Sequence, residues 1–173
     1  MAESAFAVLV PEAETYVSEL RGRYDPSAAL GAPAHITILY PFMPPEMITE
    51  EVLVEVQTEL FCRCSFGFAL RRVERFPGVL YLEPEPAQQL IALTTGLAAR
   101  FPSYPPYGGR HADVRPHLTV AQATEPEVDV AENELRAILP AEGVFSRCCE
   151  LVLIENSSGR WRQMRNFTLQ GAR

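Results

Sequence analysis

His35-Ile36-Thr37-Ile38 and His117-Leu118-Thr119-Val120 are two copies of one pattern, and they take up two of the three histidines in a chain of 173 residues. In each copy polar and apolar residues alternate with the period of a half-buried strand. His and Thr therefore share one face, and their two aliphatic neighbours share the other. Two such strands aim two imidazoles and two hydroxyls into one cleft, a set suited to acid–base chemistry on a phosphate ester. Pro33 stands two residues before the first His and Pro116 directly before the second, an echo that suggests duplication.

Outward from the first copy, Phe6-Ala7-Val8-Leu9-Val10, ended by Pro11, reads as a buried strand. Ala13, Tyr16, Val17, Leu20 and Tyr24 then fall at helical spacing until Asp25-Pro26 closes the helix. Strict alternation along the first His strand places Tyr40 opposite His35, in a packing role unless Pro41 twists the strand. Thr49 is a candidate N-cap with Glu50 and Glu51 in the first turn, and Val52, Val56 and Leu60 form the stripe of that helix. Residues 65–73 and 79–82 read as a hairpin through Pro77-Gly78.

A helix over 87–100 carries Leu90, Leu93 and Leu97, and a proline-rich stretch with two adjacent glycines leads to the second His strand. Asp129 is a candidate cap for a helix bearing Leu135, Ile138 and Leu139. Strands over 149–154 and 161–169 close the chain around Asn156-Ser157-Ser158-Gly159. This order predicts an α+β fold of two pseudo-symmetric lobes within one bilobal domain over residues 1–173, with the His-x-Thr strands facing a central cleft.

The composition, 47% hydrophobic and 21% charged, is that of a folded globular protein. A net charge of -7 argues against coating nucleic acid by counterion release but leaves room for a small ligand or a nucleic-acid end. All fifteen basic residues are Arg, which reads first as genome composition, although Arg also grips phosphate in a bidentate way. No signal peptide and no membrane-spanning run is read, so a cytoplasmic protein without membrane partners, and a monomer, is expected. Cys62 and Cys64, and Cys148 and Cys149, fit no familiar zinc spacing. They are read as buried free thiols, with a bridge between the two clusters left open.

The two His-x-Thr strands, the Arg115-Pro116 pair and the strand Val79-Leu80-Tyr81-Leu82 together resemble the 2H phosphoesterase superfamily, over nearly the whole chain. That superfamily includes bacterial 2′-5′ RNA ligase-like proteins and cyclic phosphodiesterases. The resemblance implies lobes built from antiparallel sheets with outer helices, and chemistry on cyclic phosphates or 2′-5′ linkages with no metal and no cofactor. By the same resemblance His35, Thr37, His117 and Thr119 match the four catalytic positions, and Thr37 and Thr119, on the same strand faces as the histidines, can donate hydroxyl hydrogen bonds to the non-bridging phosphate oxygens. In hydrolysis His117 would act as base and His35 as acid. An imidazole titrates near pH 6.5, so one ring can be neutral while its partner holds a proton.

Arg115 shares the His117 face, as a phosphate clamp or as a solvated residue at a strand end. Tyr104, Tyr107 and Trp161 either stack on a base or seal their own loop. His111, without a motif around it, is expected in a surface loop. The Pro/Tyr/Gly segment before Arg110 matches no substrate group of the family. The expected substrate is a small nucleotide or an RNA end, hydrolysed at a cyclic phosphodiester. The alternatives are 2′-5′ ligation or cleavage, and binding without catalysis.

Overall fold

The computed structural model describes residues 2–110 and 113–171. Among these residues eight strands form one antiparallel sheet. They are β1 (Ser4–Leu9), β2 (His35–Leu39), β3 (Phe66–Phe76), β4 (Val79–Glu85), β5 (Leu118–Gln122), β6 (Val144–Cys148), β7 (Glu150–Glu155) and β8 (Arg162–Thr168). The helices are α1 (Glu14–Tyr24), the one-turn α2 (Pro26–Ala29), α3 (Glu50–Leu60), α4 (Gln88–Arg100) and α5 (Glu125–Ile138). The α+β class and the antiparallel sheet with outer helices agree with expectation.

Strand order is β6-β3-β4-β5-β2-β1-β7-β8, so the two His strands lie side by side at the centre. In place of two separate sheets there is one continuous sheet, whose four-strand halves meet where Ile36 pairs with Leu118. The halves do not coincide with the two halves of the sequence. β2 is flanked by β1 and the C-terminal β7 and β8, whereas β5 is flanked by β4, β3 and β6. Near its ends the sheet curls until the start of β3 meets the end of β8, through Ser65 N–H to the Gln170 carbonyl at 2.8 Å and Gln170 N–H to the Arg63 carbonyl at 2.9 Å.

All the large helices cover one face. α1 packs on β5 and α5, while α4 packs on β2 and α3, so each helix that precedes a His strand lies over the other half of the sheet. Ile36, Ile38, Leu118 and Val120 are at most 2% exposed in the core beneath them. Burying four such side chains, at roughly 1.5–3 kcal/mol each, fixes the face of each strand. A one-residue slip would exchange them for His and Thr.

Several expectations are corrected by local chemistry. Thr124, not Asp129, caps α5 through a capping box with Glu127, which frees Asp129 to bind Arg75 at 2.7 Å. Leu53 joins Val56 and Leu60 as the buried side of α3, with Val52 half-buried beside them, and Ile138 is exposed. β6 escaped the reading because its pattern is inverted. Phe145 points outward, while Ser146 points inward and donates to Glu12 Oε2 at 2.9 Å. All four thiols are free, but Cys62 and Cys64 are exposed in the turn after α3 rather than buried. Cys148 alone is buried, and burial pushes its thiol up to about 12. No helix among the described residues is long and apolar enough to cross a membrane.

Candidate active site

On the face away from the helices the curled sheet encloses a cavity of about 1010 Å³, and His35, Thr37, His117, Thr119 and Arg115 all line it. The antiparallel register through Ile36 and Leu118 sets His35 toward Thr119 and His117 toward Thr37 across the seam.

Both imidazoles are held alike. His35 Nδ1 lies 2.7 Å from the Pro33 carbonyl and His117 Nδ1 lies 2.8 Å from the Arg115 carbonyl, in each case two residues earlier. A carbonyl only accepts, so Nδ1 carries the hydrogen in both rings and Nε2 is left for proton exchange. Among the described residues neither Nε2 has a protein partner, and neither do the hydroxyls of Thr37 and Thr119. The carbonyl behind His35 is itself secured, because Ala34 N–H donates to Glu14 Oε1 at 2.6 Å.

Burial is the main influence on both rings, and it pushes each below the ordinary histidine value. At His35 the Pro33 carbonyl and Asp25 act upward, while Arg21 and His117 act downward. At His117 the Arg115 carbonyl acts upward and the Arg115 charge downward. Asp25 lines the cavity beside His35 and is tied into a buried network. It accepts from Arg21 Nε at 3.0 Å, from Ser27 N–H at 2.9 Å and from the Ser27 hydroxyl at 2.8 Å.

Matching bulges shape the two His strands. Between Phe6↔Leu39 and Ala7↔Thr37, β2 holds Ile38 as an extra residue. Between Leu80↔Ala121 and Tyr81↔Thr119, β5 holds Val120. Each bulge turns two consecutive residues into the core and reverses the parity beyond it. Tyr40 therefore returns to the cavity face, contrary to strict alternation, and Gln122 occupies the corresponding position on β5. Tyr40 donates to Glu3 Oε1 at 3.0 Å and meets Trp161 edge-on with ring centroids 6.4 Å apart.

The two sides of the cavity differ in bulk. Ala7 and Tyr81 hold matching positions opposite the motif threonines. On the His117 side Tyr81 stacks on Phe76 at 4.3 Å, and both rings meet His117 edge-on at 5.3 and 5.4 Å. On the His35 side the neighbouring floor is Ala5, Ala7, Val152 and Ile154.

Arg115 is exposed at the rim, with its guanidinium 5.8 Å from the Phe76 ring centroid and Nη1 3.5 Å from the Tyr81 hydroxyl. Trp161 and Tyr107 line the cavity, whereas Tyr104 packs on Phe42 at 5.3 Å. His111 lies outside the described residues. The sequence reading missed Phe76, Asp25 and Gln122 as cavity residues, and Tyr81 as the buried ring packed behind His117. The bulges that place Gln122, like Tyr40, leave no mark in residue type. Among the described residues no three His, Cys, Asp or Glu side chains are grouped as a metal site.

No curated protein matches the chain. Solved structures that share its fold include E. coli LigT complexed with 3′-AMP, at 18% identity over 97% of this chain and 98% of that one, with a TM-score of 0.68. The protein TT0787 of Thermus thermophilus is 19% identical over 99% and 100% of the two chains, with a TM-score of 0.64. The model of the 2′-5′ RNA ligase superfamily matches residues 9–160, an interval that contains both His-x-Thr strands. With that match over most of its length, and with the fold and motifs described, the chain belongs to the 2′-5′ RNA ligase superfamily, as the 2H resemblance implied.

Proposed function

We propose that this protein hydrolyses cyclic phosphodiesters, namely the 2′,3′-cyclic phosphates of nucleosides or RNA ends, by acid–base catalysis from His35 and His117. The observation that carries the reading is the shared anchoring of both rings through Nδ1, with two Nε2 atoms and two threonine hydroxyls on one cavity that have no protein partner among the described residues. Structures of E. coli LigT that hold 3′-AMP, ATP and NADP+ support a nucleotide-sized ligand.

In the proposed reaction His117 Nε2 takes a proton from water as the water oxygen bonds to phosphorus. The bond from phosphorus to one ribose oxygen breaks on the opposite side, and His35 Nε2 gives that oxygen its proton. The product is a nucleoside monophosphate, and proton exchange with solvent resets the two rings. Thr37 and Thr119 donate to the non-bridging oxygens as charge gathers there. The difference in bulk supports this assignment of roles. The aromatic wall of Phe76 and Tyr81 leaves the His117 side suited to a water molecule, while the alanine floor beyond His35 has room for the nucleoside whose ribose oxygen leaves phosphorus.

Both proton transfers fall to imidazoles, so no step calls for a metal. A reducing, cytoplasmic setting fits four unpaired thiols. Chromatography of the products from adenosine 2′,3′-cyclic phosphate tests the reading. Adenosine monophosphate is expected as the product, and tight nucleotide binding without turnover would indicate a binding module instead.

A further inference from the structure

The cavity runs well beyond the histidines, and at its far end the Pro105-Pro106-Tyr107-Gly108-Gly109-Arg110 segment overhangs Tyr40. Tyr107, Gly108 and Gly109 are all left-handed, with φ of 53°, 63° and 73°. For Tyr107 that conformation is strained. It is held by Tyr107 N–H donating to the Tyr40 carbonyl at 2.6 Å. The turn delivers Arg110 to the cavity, close enough for its charge to act on the Tyr40 phenol.

Charge pairing separates this arginine from most others. Among the described residues eight arginines form salt bridges with carboxylates, Arg21, Arg75 and Arg136 included, whereas Arg110 forms none. In a chain of net charge -7 an exposed guanidinium left without a carboxylate and turned into a cavity is suited to an anion from the ligand. Glu3, the carboxylate at the same end, is engaged by the Tyr40 hydroxyl.

Between the two ends lie the alanine floor and the Tyr40–Trp161 pair, a stretch suited to one nucleoside. From the position opposite Thr37, β1 continues four residues to Glu3, about 13 Å at the rise of a strand. The 3′ and 5′ phosphates of one nucleotide lie closer together than that span, and the long, flexible Arg110 side chain is able to cover the remainder.

We infer that Arg110 and the strained turn before it form a second phosphate subsite, which takes the 5′-phosphate of the nucleotide whose cyclic phosphate lies between the histidines. The inference rests on the proposed function and narrows its substrate to nucleotides bearing two phosphates. The second phosphate is either a 5′-monoester or the internucleotide diester of an RNA 3′ end.

Calorimetric binding of adenosine 3′-phosphate, adenosine 3′,5′-bisphosphate and the dinucleotide ApAp tests it without requiring turnover. The bisphosphate is expected to bind on the order of tenfold tighter than the monophosphate, with a preference that weakens as salt rises. In Arg110→Ala the ratio falls toward one, in Arg110→Lys it falls less, and in Arg165→Ala, which removes the same charge away from the cavity, it stays. ApAp gaining as much as the bisphosphate identifies the RNA end as the source, and a gain for the bisphosphate alone identifies the mononucleotide. Equal binding of mono- and bisphosphate by the unaltered protein, or a preference unchanged in Arg110→Ala, overturns the subsite. A preference that depends on Arg110 in a protein that hydrolyses no cyclic phosphate would uphold the subsite and remove the proposed reaction.

Discussion

Ile36 pairs with Leu118 across the centre of the sheet, and this pair joins the two halves of the molecule and sets the two His-x-Thr strands in register. Both side chains are fully buried beneath the helices. Their neighbours on the opposite face are therefore held at fixed height in the cavity. The apolar residues of the motif thus place the polar ones, linking core packing directly to site geometry.

The Arg21–Asp25 pair sits behind His35, with side chains only 3% exposed on each partner and a separation of 2.9 Å. Asp25→Ala would leave the Arg21 guanidinium buried without its carboxylate and remove the cap of α2. A loss of about 3–5 kcal/mol of stability is expected from urea unfolding. Replacing both partners, Arg21→Met with Asp25→Leu, should cost clearly less. Equal losses would mean that the buried charge is not what destabilises the single variant.

Both histidines are pushed below their ordinary value by burial. As pH falls from about 6.5 toward the folded values, the unfolded chain binds protons that the folded chain does not. This stabilising contribution is present above about pH 6.5 and is lost as pH falls through the folded values. Melting temperature should therefore decline from pH 7.5 to pH 5, less steeply in a variant lacking both rings. For catalysis the free enzyme needs one protonated ring, so kcat/KM should begin to fall with rising pH below about 6.5. An alkaline limb well above 7 in kcat/KM would contradict the burial of the acid.

Trp161→Ala removes the aromatic rim while leaving the histidines and threonines untouched. Stacking on a base is worth about 1–3 kcal/mol. KM for adenosine 2′,3′-cyclic phosphate should rise about tenfold with kcat retained, and the inhibition constant of inorganic phosphate should stay the same. Equal losses for phosphate would show that Trp161 supports the site rather than holding a base.

Much of this arrangement was legible in the chain. Ile36, Ile38, Leu118 and Val120 announced their strand faces by alternation, and Thr49 announced its helix by the acidic turn that follows. Other features depend on distant partners. Which strands flank each His strand is decided by pairing across the whole chain, so the C-terminal β7 and β8 beside β1 were beyond a local reading. The bulges at Ile38 and Val120 arise from the facing strands, and they alone decide that Tyr40 and Gln122 look into the cavity. Phe145 and Ser146 reversed the usual polarity of an edge strand and hid β6.

The central claim is that two imidazoles carry both proton transfers. The most direct measurement is kcat/KM for adenosine 2′,3′-cyclic phosphate in the unaltered protein, His35→Ala, His117→Ala and the double variant, each with and without EDTA. Each single variant should lose on the order of 10²- to 10⁴-fold. The double variant should lose little more than the weaker single one, because the rings act as a unit, and EDTA should change nothing. Turnover persisting near the original level in either single variant would contradict the account.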